Sequence, residues 1–185
     1  MIETTQSAPI RVSIDKVWDY VRDIRRWAEL MPGFQNCEVI DNDNSRWVLK
    51  VGVGGLVRAV KVLVHVDRWN GPEQVLFTYR LQGDPVVGGG SYVAVRKDDR
   101  TTEMTLTVRV EGSGAMAPMW EAMGAPLLPK FARAFAEQLA AGIEKANEAP
   151  AVAALSPVRP TFPAIVVGWL RKAIRPLSDS WAPKK

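Results

Sequence analysis

Between residues 34 and 110 apolar and polar positions alternate in short runs separated by turn-forming clusters, the pattern of half-buried strands. Phe34 to Ile40 is the first run, closed by Asp41-Asn42-Asp43-Asn44. Trp47, Leu49, Val51 and Val53 alternate with Arg46 and Lys50, and Val60, Val62, Val64 and Val66 alternate with Lys61, His65 and Asp67. Val75, Phe77, Tyr79 and Leu81 follow, then Tyr92, Val93 and Val95. The last run sets Met104, Leu106, Val108 and Val110 against Thr105, Thr107 and Arg109. Period-two alternation with one polar face predicts an antiparallel sheet whose other face is covered. Connections this short favour a meander.

Ahead of these runs, Met1 to Arg11 suits an edge strand. Ser13-Ile14-Asp15-Lys16 then opens a helix, with Ser13 placed to cap it and Asp15 in the first turn, where the helix dipole favours a carboxylate. Val17, Trp18, Val21 and Ile24 recur at helical spacing, and a second short helix carries Trp27, Leu30 and Met31 until Pro32-Gly33 ends it. Behind the strands, residues 116–146 place Trp120, Met123, Leu127, Phe131 and Phe135 on one stripe at three- and four-residue steps. Pro126 and Pro129 interrupt that stretch and predict a kink or break near Ala125 to Pro129. The expected architecture is an α+β domain over residues 1–147, in which one long, interrupted helix covers the sheet. Residues 148–163, with Pro150, Pro157, Pro160 and Pro163, read as an extended linker. Residues 164–185 read as a basic amphipathic tail.

The 185 residues suffice for one core and an appendage, not for two enzymatic domains. With 47% apolar and 24% charged residues the body is neither disordered nor fibrous. The net charge of +4 conceals a division: residues 1–150 hold 18 basic against 19 acidic side chains, whereas residues 151–185 hold six basic ones against Asp179 alone. A nucleic-acid-binding body would carry its basic residues along one face of the fold, so nucleic acid is not the expected partner. The single Cys37 excludes an intrachain disulfide, and the single His65 excludes a multi-histidine metal site within one chain. A Cys37–His65 pair is disfavoured without being eliminated. The start of the sequence shows no basic n-region and no apolar h-region, which leads us to expect a cytoplasmic chain.

The glycine clusters point to backbone needs before chemistry. Gly52-x-Gly54-Gly55 lies between two strands without the following helix and Lys-Ser/Thr pair of a phosphate loop, and is read as a hairpin turn. Gly88-Gly89-Gly90 is read the same way, with the added option that its flexibility admits a ligand. His65 falls on a polar strand face and Cys37 is read as a small apolar residue.

Strand, two short helices, long antiparallel meander and C-terminal helix is the helix-grip arrangement of the START-like (SRPBCC, Bet v 1-like) superfamily. Within it, the chain resembles the CoxG family, which is associated with carbon monoxide dehydrogenase. The resemblance rests on Ala8-Pro9-Ile10, on Ile14-Asp15-Lys16-Val17-Trp18 with Asp23, on Leu30-Met31-Pro32-Gly33, on Val51-Gly52-Val53-Gly54-Gly55-Leu56-Val57 and on Val110-Glu111-Gly112-Ser113-Gly114. These segments fall within residues 8–146. The resemblance implies a curved sheet gripping a helix around an apolar cavity, and a quinone-carrying or anchoring role beside a molybdenum-containing carbon monoxide dehydrogenase at the inner face of the cell membrane. It implies no catalytic residue, no metal and no covalently bound cofactor, with a quinone as the ligand to expect.

On the residues themselves, an ordinary packed core competes with a cavity. Ten alanines between Ala115 and Ala146 leave the helix few large side chains outside one stripe, which favours the cavity. Its expected ligand-contacting residues are Phe77, Tyr79 and Tyr92, then Leu106 and Val108, and from the helix Trp120, Met123, Leu127 and Phe131. Tyr79, Ser91 and Tyr92 would supply the few polar contacts. An enzyme of the polyketide cyclase/aromatase type, also in the superfamily, is the competing reading and would need acid–base groups converging inside. A purely structural anchor is the third.

The tail gives the sharpest pattern. At about 100° per residue, Ile165, Val166, Trp169, Leu170 and Ile174 share one side of a wheel, and Arg171, Lys172 and Arg175 the other. Its longest uncharged run, Pro160 to Leu170, is eleven residues, short of the roughly 20 needed to span a bilayer. The segment from Phe162 onward is therefore expected to lie on an anionic membrane surface and not to cross it. Docking on its own domain or on a partner protein is the alternative.

Overall fold

The structure, a computed structural model, describes residues 1–53 and 56–148; the rest of the chain and the side chains of Val53, Leu56, Met116 and Met123 lie outside the described residues. The linker, the whole expected membrane-binding segment and the Gly54-Gly55 turn are among the parts not described.

Strands β1 (Ile2–Ile10), β2 (Phe34–Val39), β3 (Asn44–Val53), β4 (Leu56–Asn70), β5 (Gln74–Leu81), β6 (Val86–Arg96) and β7 (Thr102–Gly112) form one sheet in the order β1-β7-β6-β5-β4-β3-β2. Every pairing is antiparallel. β2 to β7 are a meander, and β1 closes on β7 as the expected edge strand. Helices α1 (Ile14–Val21) and α2 (Ile24–Glu29) follow β1, while α3 (Ala117–Gly124) and α4 (Leu128–Glu148) follow β7. This is the helix-grip fold, with α4 held against the sheet's inner face. Among the described residues no helix is long and apolar enough to cross a membrane.

The alternation works as expected on most strands. Val62, Val64 and Val66 are buried, and so are Trp47, Leu49, Met104 and Leu106. The stripe of α4 continues through Phe135, Leu139 and Ile143, which join Val17, Val21 and Trp27 in one core. At its far end α4 is tied to the chain leaving β1: Glu144 accepts the Arg11 backbone N–H at 2.8 Å, and the Arg11 guanidinium donates to both its carboxylate oxygens at 3.2 and 3.1 Å.

Two local expectations need correcting, and a third is met. Ser13 stands at the N-cap of α1, but its side chain makes no capping bond; its carbonyl accepts the Val17 N–H at 3.0 Å. The side-chain cap belongs to α2, where Asp23 accepts from the Arg25 N–H. The break expected near Ala125 to Pro129 is present and divides the closing helix into α3 and α4: Pro126 sits in the gap between them, while Pro129, in the first turn of α4, costs no hydrogen bond there. Gly88, Gly89 and Gly90 are not a turn. They lie inside β6, opposite Tyr79, Thr78 and Phe77 of β5.

Candidate functional site

The inner face of the sheet does not meet α2, α3 and α4 everywhere, and a cavity of about 300 Å³ remains between them. That is at the small end of the range for sites that enclose an organic ligand. β3 contributes Trp47 and Leu49 to its wall, and β4 contributes Val62, Val64 and Val66. The register of β4 against β5 then shifts between Val66 and Arg68, so that Trp69 pairs with Val75. This bulge resets the parity of the strand and brings a second tryptophan of the sheet onto the wall, where simple alternation would have placed Arg68.

Across the sheet, Phe77 and Tyr79 pair with Gly90 and Gly88. A Cβ at Gly88 would come within 2.4 Å of the Tyr79 ring and hydroxyl, and one at Gly90 within 2.9 Å of Phe77. The absent side chains therefore let both aromatic rings lie down on the sheet and leave space above them. Trp27 from α2 closes the inner end, its ring 5.9 Å from those of Phe77 and Phe135 and 5.8 Å from that of Tyr92. Wall residues at this end, including Trp27, Val75 and Phe135, are buried, whereas Trp120, Leu127, Leu128 and Phe131 are only part-buried. The mouth thus lies at the α3–α4 junction.

The polar hydrogens of the wall are almost all spent. Trp27 donates to the Val21 carbonyl at 2.6 Å, Trp47 to the Ser45 hydroxyl at 2.8 Å and Trp69 to the Asp43 carboxylate at 2.9 Å. The Tyr79 hydroxyl donates to the Arg109 carbonyl at 2.8 Å. Burial pushes the Tyr79 hydroxyl far above its ordinary range, so it stays protonated. No carboxylate, histidine, lysine or arginine side chain is found on the wall among the described residues.

Of the residues expected at a ligand, Phe77, Tyr79, Val108, Trp120, Leu127 and Phe131 line this cavity. Leu106 and Tyr92 do not; both are fully buried in the packed core beside it. The Tyr92 hydroxyl, expected to orient a ligand, has no hydrogen-bond partner among the described residues. Ser91, one residue along the strand, is likewise absent from the wall. The side chain of Met123 lies outside the described residues. Trp27, Met31, Trp47 and Trp69 were missed as wall residues, although Trp27, Met31 and Trp47 sat at apolar positions of their own elements.

The two candidate nucleophile partners are separated by the sheet. Cys37 pairs with Trp47 and is buried on the inner side, where burial raises its thiol pKa. His65 pairs with Asn44 on the outer face, its Nδ1 2.9 Å from the Asn44 amide oxygen. No group of residues that could hold a metal ion occurs among the described residues.

No curated protein sequence matches the chain. Solved structures share the fold: a conserved protein from Geobacillus kaustophilus is 18% identical with a TM-score of 0.67, covering 78% of this chain and 97% of that one. The Zhui aromatase/cyclase from Streptomyces sp. R1128 is 16% identical with a TM-score of 0.60, covering 80% and 96%. A START superfamily protein from Mycobacterium smegmatis is 14% identical with a TM-score of 0.60, covering 78% and 98%. The model of one family, described as polyketide cyclase / dehydrase and lipid transport, matches residues 1–144. With that match spanning nearly the whole helix-grip domain, the chain belongs to the polyketide cyclase / dehydrase and lipid transport family.

Proposed function

We propose that the chain is a non-enzymatic carrier of an apolar, ring-containing ligand, a respiratory quinone being the candidate that its CoxG-like segments favour. In this reading the loaded protein serves a molybdenum-containing carbon monoxide dehydrogenase as electron-acceptor carrier or anchor. The tail from Phe162 holds it to the anionic inner face of the cell membrane, where such a ligand dissolves. The observation that carries the reading is the chemistry of the wall: indole, phenyl and aliphatic surface, with its tyrosine hydroxyl protonated and committed to a backbone carbonyl. Such a wall recognises shape and hydrophobicity, and it offers a reacting chain no general base.

A cyclase or aromatase is the second reading, favoured by the family description and by the fold shared with an aromatase/cyclase. Native mass spectrometry of the purified full chain, followed by solvent extraction, separates the two. The carrier reading expects a stoichiometric, non-covalent ring compound that can be removed and reloaded without chemical change. Failure to reload a quinone, or conversion of a polyketide chain to a cyclised product, overturns it.

A further inference from the structure

Among the described residues, five side chains on the cavity wall carry a polar hydrogen, and four of them are already used inside the protein. The fifth is Trp120, whose indole N–H makes no hydrogen bond among the described residues. Trp120 belongs to α3 at the part-buried, mouth end of the wall. Its backbone is pressed close to β7: a Cβ at Gly112 would come within 3.0 Å of the Trp120 Cβ. The ring is therefore anchored at its root, and its N–H has no partner among the described residues.

We infer that the Trp120 indole N–H is the polar anchor of this cavity, and that the ligand is a carbon-ring molecule with a hydrogen-bond acceptor, a carbonyl oxygen, at the end that stays near the mouth. The inference rests on the carrier reading. An indole nitrogen only donates, so its partner must accept. Before binding, water satisfies that N–H. A ligand that covers the mouth removes the water, and a donor left dry and unpaired is costly. A pure hydrocarbon imposes that cost, whereas a ring with a carbonyl replaces the lost hydrogen bond. Among the described residues the inner wall offers no free side-chain donor, the unpaired Tyr92 hydroxyl lying behind it in the packed core, so the expected orientation is hydrocarbon inward to Trp27 and Phe135, oxygen outward to Trp120.

The test compares dimethylnaphthoquinone with dimethylnaphthalene, two probes of one ring size that differ in their oxygens, by equilibrium dialysis against the full chain and its Trp120→Phe variant. The expected result is a loss of about two- to tenfold in affinity for the quinone on substitution, the worth of one neutral hydrogen bond, with the hydrocarbon held within about twofold. Nitrogen-15 spectra of the wild-type chain give a readout that needs no variant: the Trp120 indole resonance should move downfield with the quinone and not with the hydrocarbon. Equal losses for both probes, or an indole resonance that ignores the quinone, overturn the inference while leaving the carrier reading standing. Binding of neither probe to the wild-type chain overturns the carrier reading, and the inference with it.

Discussion

Tyr79 lies across Gly88, its strand neighbour on β6, and reaches past it to donate to the carbonyl of Arg109 on β7. One side chain thus spans three strands, and it can do so because its neighbour has none. A Cβ at position 88 would come within 2.3 Å of the Arg109 carbonyl oxygen as well as striking the tyrosine. Gly88→Val is expected to cost about 2–3 kcal/mol through overpacking, read as a clear fall in thermal midpoint. Tyr79→Phe, which keeps the shape and loses one hydrogen bond, should cost about 1 kcal/mol. If the two variants melt together, the glycine is not what seats the ring.

Tyr92 presents the opposite case. Its hydroxyl is fully buried without a partner among the described residues, and its ring lies 5.8 Å from that of Trp27. Removing an unsatisfied buried hydroxyl removes a penalty, so Tyr92→Phe should stabilise the domain by about 1 kcal/mol. Chemical denaturation checks the sign, and a destabilised variant would reveal a partner, such as a bound water.

The clamp between Arg11 and Glu144 sets an acid limit. The Arg11 guanidinium and backbone N–H hold the Glu144 carboxyl below the usual glutamate range. A depressed folded-state pKa contributes stability that is complete above the unfolded value, about 4.3, and is lost as pH falls through the folded one. Denaturation midpoints measured from neutral pH down to about 3 should therefore fall more steeply for the wild-type chain than for Glu144→Gln. Parallel profiles would show that the clamp carries no linkage.

The gap between α3 and α4 is held by sparse backbone bonds, Ala125 to Glu121, Leu127 to Gly124 and Phe131 to Leu127. It borders the mouth, so we expect amides of residues 125–131 to exchange faster than those of residues 104–110 in the empty protein, and to slow on loading. Equal protection in both segments would mean that the mouth is rigid.

For the tail the expected outcomes concern membranes. Truncation after Pro150 should leave the domain folded and its ligand bound while abolishing co-sedimentation with anionic liposomes. Trp169→Ala should weaken binding at all salt concentrations, since it removes burial, and Arg171→Gln mainly at low salt, where charge is unscreened. A full chain that ignores such liposomes assigns the tail to a protein interface.

The sheet was legible in the sequence because one buried face forces alternation. The α3–α4 break was legible because proline cannot continue a helix. Alternation reports which side a residue faces and not how deep it lies along that side. Leu106 and Tyr92 share a face with Phe77 and Val108, yet they occupy the filled end of the interior and the other two the hollow one. Trp69 escaped notice because the β4 bulge exchanges inward and outward positions after Val66, which no local composition announces. The glycine run of β6 was misread for a related reason: glycine's preference for turns is a local property, and here the cross-strand rings of Phe77 and Tyr79 override it.

The hydrocarbon character of the wall has a consequence for traffic. To a molecule dissolved among lipid tails, indole edges and valine methyls are nearly the same solvent, so moving between bilayer and protein changes its contacts with water very little. The partition coefficient should lie near unity, with the proposed donor at Trp120 as a small bias toward the protein. Loading and unloading would then run on cargo gradients alone, requiring neither a tight complex nor an energy source to break one.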